Sequence, residues 1–332
     1  MEDHFIMTST NNKKENSEEY KLVLLLKNTY DKRLFHNDFD TWTTEEQYSW
    51  IKENLSKFYP NVPETIRNYV PALFLQPDFY RSSWEMPEWL DINKYRRGQK
   101  FVRENYVPII ITKLLAIIHL YSFNDGLKPI IIGGHSHTID LGFKRYFSTM
   151  KRIYSWYNGE PWVKGTEAYK NMQAAHKMHL IMRKKLCQMD NEQIDAMSKI
   201  VEPLCSDREI LLKDFAMACP FEKFGQRPYI MMSESPYRPK GINNMDIAGL
   251  QGTFVSMFLL RPQDIGVHNA TDQDIEAFCH MWRCYGYYLG LEDKFILQHA
   301  LKLSIIRELF NKFIIHLLSK KTNHNPKQKA EL

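Results

Sequence analysis

Apolar side chains recur at a period near 3.6 through most of the chain, and the polar interruptions fall where helices would start and stop. Thr43 with Glu46 three residues on is a capping box, and Tyr48, Ile51 and Leu55 follow on one face, which predicts a helix. Pro63-Glu64 opens another, expected to run to about Phe74. Residues 93–122 are helical in composition, with Pro108 expected to begin or kink the second half and Asn124-Asp125-Gly126 to end it. Beyond a short apolar run at 130–132 and the Gly133-Gly134 pair, the same period predicts helices over 138–157, 166–188, 191–204, 207–218, 244–260, 271–289 and 292–317.

Glycine and proline mark the joints, and neither alternating strands nor an internal repeat interrupts the pattern. The expected fold class is all-α, with a single helical domain over residues 20–318. Residues 1–19 and 319–332 are polar and aperiodic and are read as disordered tails. The longest irregular stretch, 220–241, carries four prolines with Tyr229 and Tyr237, and its length suggests a lid.

Composition then narrows the function classes. Across 332 residues, 44 Lys and Arg stand against 39 Asp and Glu, a net charge of +5 that is too small to imply nucleic-acid binding. Five cysteines, at 187, 205, 219, 279 and 284, form no Cys-x-x-Cys pair, which fits a reducing compartment and excludes covalent c-type haem attachment by its usual motif. The first residues lack the charged-then-apolar pattern of a signal peptide. The most apolar stretch, 107–121, includes Lys113 and His119 and falls short of the roughly 20 residues that span a bilayer, so it is read as a buried helix.

Four constellations could carry chemistry. His176, His179 and Arg183 are spaced i, i+3 and i+7 and share one helix face, so an inward orientation would require polar partners such as a metal, a haem or carboxylates. A solvated face is the plainer reading, and the spacing differs from the i, i+4 pair of zinc hydrolases. Arg145, Ser148 and Thr149 form a second face, one cation and two hydroxyls, on a helix where Lys144, Lys151 and Arg152 equally suggest an exposed basic surface. His135 and His137 lie at strand spacing beside two glycines and would suit a metal if a third ligand joined them. Gly286 and Gly290, four apart, permit close approach of a helix or of a flat ligand.

Five segments in order, Arg97-Gly-Gln-Lys-Phe101, Phe143-Lys-Arg-Tyr-Phe-Ser-Thr149, Ser155-Trp-Tyr-Asn-Gly-Glu-Pro-Trp162, Met178-His179-x-x-x-Arg183 and His280-x-Trp-Arg-x-x-Gly-Tyr-Tyr-Leu-Gly-Leu-Glu-Asp293, resemble the family of ER-bound oxygenase mpaB and bacterial rubber oxygenase (latex clearing protein), in particular its insect-type members. The resemblance implies a globin-like helical core around a non-covalent haem b, with His179 as the iron ligand. Arg183 matches the second arginine of the family's Arg-x-x-His-x-x-x-Arg pattern, and His176 occupies the place of the first. Arg145 and Thr149 match the distal Arg-x-x-Lys-Thr pattern, with Ser148 where the lysine would stand. The family's proposed carboxylate base has no counterpart upstream of Arg145.

On this reading His179, Arg183 and His176 bind the cofactor, while Arg145, Ser148 and Thr149 act on bound O2. The expected function is a haem b oxygenase taking O2 and an apolar isoprenoid or unsaturated lipid-like substrate, with oxidative C=C cleavage or a related oxygenation as the reaction. Its expected location is cytoplasmic or peripheral to the ER membrane, with peripheral contact to the bilayer and no nucleic acid as partner. The missing lysine and base leave open a haem- or lipid-binding protein without turnover. A zinc or iron enzyme using His135, His137, His176 or His179 without porphyrin, and a cofactor-free helical interaction protein, also remain.

Overall fold

The computed structural model describes residues 35–58, 71–121, 124–199, 210 and 239–295, and among them every regular element is helical. Nine α-helices follow one another among the described residues: α1 (Thr44–Phe58), α2 (Ile92–Glu104), α3 (Tyr106–Tyr121), α4 (Asn124–Ile132), α5 (Ile139–Tyr157), α6 (Glu167–Cys187), α7 (Asn191–Met197), α8 (Asn244–Leu260) and α9 (Asp272–Tyr288). The all-α expectation holds for this described part. The tails, all but residue 210 of the helix expected at 207–218 and nearly all of the irregular stretch at 220–241 lie outside the described residues, as does most of the helix expected from Glu292 onward.

Local chemistry sets the helix starts. Thr43 and Glu46 form the expected box: the Thr43 N–H donates to Glu46 Oε2 at 2.8 Å, and the Glu46 N–H donates to Thr43 Oγ1 at 3.3 Å. Ile51 and Leu55 one and two turns on bury into a small aromatic cluster with Phe35 and Phe39. Asp190, Asn243 and Thr271 cap α7, α8 and α9 in the same reciprocal way. Pro108 falls in the first turn of α3, where its missing N–H costs no intrahelical bond, so it begins that helix rather than kinking it.

Asn124-Asp125-Gly126 does not end a helical stretch. It opens α4, which runs through Pro129 and converts the apolar run 130–132 into a last helical turn. The turn residues there act as a helix start, a role Asn and Asp share with turns.

The core forms where α2 and α9 cross, the most extensive helix contact among the described residues. Gly98 sits at the crossing, where a Cβ would lie 2.6 Å from the carbonyl oxygen of Ala277. Eleven of the seventeen residues of α9 are buried, and the helix packs against α2 and α8. Gly286 meets the Gln251 side chain of α8, and Gly290, at φ +94°, ends the helix against the backbone of Asp78. The two glycines four apart therefore serve helix packing and chain reversal.

Two buried tyrosines tie the core to the turn between α5 and α6. The Tyr95 hydroxyl donates to the Gly159 carbonyl at 2.9 Å, and the Tyr285 hydroxyl donates to the Trp156 carbonyl at 2.9 Å. Gly159 fits against Ala168, 2.6 Å from where a Cβ would be, so Ser155-Trp-Tyr-Asn-Gly-Glu-Pro-Trp162 is clamped and fixes how α6 leaves α5.

Of the stretch 107–121, read as a buried helix, residues 107–117 are buried on one side only. Ile109, Thr112, Lys113, Ala116 and Ile117 face the core, while Val107, Ile111, Leu114 and Leu115 face outward. Lys113 is fully buried: its Nζ donates to the Phe254 carbonyl and lies 4.6–5.2 Å from the ring centroids of Phe254, Phe258, Phe278 and Trp282. Burial holds its pKa well below the ordinary lysine range, despite the opposing influence of Cys279. Desolvating the ammonium outweighs one hydrogen bond, so Lys113→Met, similar in length and uncharged, is expected to raise stability by on the order of 1–3 kcal/mol. Denaturant unfolding at pH 7 checks this, and a lower midpoint would show that the aromatic rings hold the charge favourably.

Candidate functional site

The site stands on the pair α5 and α6. Thr138 caps α5 by accepting from the Leu141 N–H at 3.3 Å, and Thr166 caps α6 by accepting from the Tyr169 N–H at 3.2 Å. Arg145 lies twelve residues before the end of α5, and His179 twelve after the start of α6. At 1.5 Å per residue the two are equally far from the turn, so helices folded back on each other bring them level.

The electrostatics agree with that placement. The pKa of His179 is lowered to about 4, first by burial, then by the neighbouring His176 and by the Arg145 guanidinium. The ring is neutral at pH 7. Its Nδ1 is out of reach of solvent and has no hydrogen-bond partner. A buried polar nitrogen left in this state is rare, since an unmade bond there costs about 1–3 kcal/mol.

His176, one turn earlier, is half-buried and edge-on to Phe79 with ring centroids 5.6 Å apart. Burial lowers its pKa, the Asp78 carboxylate opposes that, and Arg81 adds to it. The stripe of His176 and His179 thus faces partly inward, and the loop at 78–81 supplies charges that the sequence did not associate with it. The loop reaches this position because the Asp78 N–H donates to the Gly290 carbonyl at 2.8 Å and Arg81 Nη1 donates to the carbonyls of Tyr287 and Leu291, at 3.0 and 2.9 Å.

Arg183 shares the helix but turns to another task. It is almost fully buried, and its Nη1 donates to the carbonyls of Lys240 and Gly241, while Nε is buried without a partner. Burial lowers its pKa, and Cys187 and then the Asp246 carboxylate oppose that. Arg183 therefore pins the chain entering α8 onto α6.

On α5, Arg145 Nη1 reaches Ser136 Oγ at 3.4 Å, and Ser148 and Thr149 are half-buried one turn further on. Neither hydroxyl bonds back to its helix, so both keep their donors. The structure brings together His176, His179 and Arg145. Ser148 and Thr149 share the face of Arg145 without bonding to either histidine.

His135 and His137 are exposed on the bend between α4 and α5. Among the described residues no three His, Cys, Asp or Glu side chains gather where they could hold a metal ion. The arrangement offers one neutral imidazole nitrogen, a nearby guanidinium and two free hydroxyls. Such a set suits a cofactor that brings its own remaining donors better than a bare ion. Comparison with protein-family models, with curated proteins and with solved structures finds no match for this chain.

Proposed function

We propose that the protein holds a non-covalent haem b through His179 and acts as an oxygenase, using O2 on an apolar isoprenoid or unsaturated lipid-like substrate by oxidative C=C cleavage. The observation that carries this reading is the His179 ring, kept neutral by burial and with a buried nitrogen that has no partner. Neutral imidazole is the form that ligates iron, and a porphyrin supplies the four further nitrogens that no protein cluster among the described residues provides. When bound, haem would supply the iron at which O2 coordinates and is activated.

The chain's own groups divide the remaining work. Arg145 places a cation near His179, and Ser148 and Thr149 hold donors able to orient an oxygen ligand. Arg183 steadies the helix that carries His179, and its unpaired Nε is the donor left for a propionate. The resemblance of five ordered segments to the mpaB and rubber oxygenase family supports the same cofactor and substrate class.

Purified protein reconstituted with haem is expected to show a Soret band that His179→Ala abolishes and that His135→Ala, at an exposed position, leaves intact. Incubation with a polyene under O2 is expected to yield carbonyl cleavage products. A missing Soret band, or one unchanged in His179→Ala, overturns the haem assignment. Haem binding without any oxygenated product overturns the oxygenase and leaves a carrier of the same fold.

A further inference from the structure

α3 and α5 present an apolar surface that nothing among the described residues covers. On α5, Ile139, Phe143 and Phe147 recur at i, i+4 and i+8, with Phe143 69% and Phe147 67% exposed. On α3, Val107, Ile111 and Leu115 recur at the same interval, with Ile111 and Leu115 each 54% exposed. The two helices touch where the exposed rings of Tyr106 and Tyr154 pack edge to face, centroids 5.8 Å apart. The only Lys, Arg, Asp or Glu in α3 is Lys113, which points into the core, so the outer face of this helix carries no ionised acid or amine. Rows of exposed large apolar residues of this kind mark an interaction surface.

Charge identifies what it meets. α5 carries four cations against one carboxylate and α6 five against one, so together they hold +7, more than the +5 of the whole chain. Lys144 and Lys151, spaced seven apart on the flank of the apolar ridge of α5, are exposed and form no ion pair, and neither do Lys177 and Lys184 on α6. An apolar strip edged by lysines is the pattern of a helix lying in a lipid interface, with rings among the acyl chains and ammonium groups at phosphates.

A second copy would set these lysines against each other. The 296–332 segment of the chain is itself basic, with seven Lys and Arg against two Glu. Both are poorer complements than an anionic surface. No helix among the described residues is long and apolar enough to cross a membrane.

We propose that the α3 and α5 face docks on the surface of an anionic lipid bilayer, with Phe143, Phe147, Ile111 and Leu115 inserted and Lys144 and Lys151 at the headgroups. The test is flotation of the full chain with vesicles of phosphatidylcholine alone or with about 30% phosphatidylserine, where salt screens the charged contacts. Binding to the anionic vesicles is expected, weakened at least tenfold between about 50 and 500 mM NaCl and at least tenfold by Phe143→Glu with Phe147→Glu. Because those positions are exposed, the double variant is expected to keep the parent's circular dichroism. The double variant Lys144→Glu with Lys151→Glu leaves the apolar ridge whole and is expected to lose only the preference for anionic lipid. Equal binding to both vesicle types, no binding at all, or full binding by both double variants overturns the proposal. So does a dimer in light scattering that Phe143→Glu with Phe147→Glu converts to monomer, which would assign the face to a second copy.

Discussion

Alanine at position 98 is expected to cost the protein about 3 kcal/mol or to prevent folding outright, one of the largest effects of any single methyl in this chain. The added Cβ would lie 2.6 Å from the Ala277 carbonyl oxygen, 3.0 Å from its carbon and 3.2 Å from Met281 Cβ. Two of these are backbone atoms of α9, locked in a helix buried against α2 and α8, so relief requires the two helices to separate. Separation loosens Tyr95 and Phe101, which leave α2 to pack on Tyr285 and Phe278 of α9. Gly142, on α5, has nothing within 4 Å of its would-be Cβ, and there alanine is expected to stabilise by about 0.5–1 kcal/mol through helix propensity alone. Urea unfolding of the two variants beside the parent checks both. Equal midpoints for Gly98→Ala and the parent would show that the helices yield at the crossing.

Much of this architecture is legible from local rules because local chemistry decides it. A capping box needs only residues three apart, and Thr43 with Glu46, Asp190 with Gln193 and Thr271 with Asp274 all form within their own turns. Asn124-Asp125-Gly126 misleads because the same side chains serve turn and helix start, and the choice depends on what the following turn packs against. The outward face of α3 is hidden for a related reason. A run of apolar residues interrupted by one lysine reads as core, yet the lysine is the residue that points inward and the leucines and isoleucine point out.

The site divides along the same line. That His176 and His179 share a face follows from their spacing, and the nearness of Arg145 follows from equal distances to one turn. The partners of Arg183 are carbonyls 57 and 58 residues away, and the Asp78 and Arg81 charges beside His176 come from a loop nearly a hundred residues earlier. Neither is a matter of periodicity. The aromatic setting of Lys113 gathers side chains from α8 and α9 and is equally invisible before the helices pack.

Haem-free protein is expected to lose stability as pH falls from about 6.5 to 4, before acid titrates its carboxylates. The pKa values of His179 and His280 are both lowered to about 4. For His179 the main cause is burial. For His280 it is burial, then Lys94 and Arg283, and its Nε2 accepts the Asp91 N–H at 3.1 Å, a bond that a protonated ring cannot make. Because the folded state resists the proton that the unfolded chain accepts near pH 6.5, the unfolded chain binds more protons between the two values. Stability is therefore complete above about 6.5 and declines through the window as pH falls, by about 3 kcal/mol for His179 at about 1.4 kcal/mol per pH unit. His280 adds a contribution of the same sign. The capping carboxylates Asp91 and Asp274, held below the usual range, act in the same direction but only as pH falls below about 4, so the upper window belongs to the histidines. Thermal unfolding followed from pH 4.5 to 8 is expected to show this slope. His179→Leu, which fills the same space without a titrating group, is expected to flatten most of it. A variant that keeps the full slope would show that the His179 ring is reached by water, and with that the neutral, unpartnered nitrogen on which its role as a ligand depends would be gone.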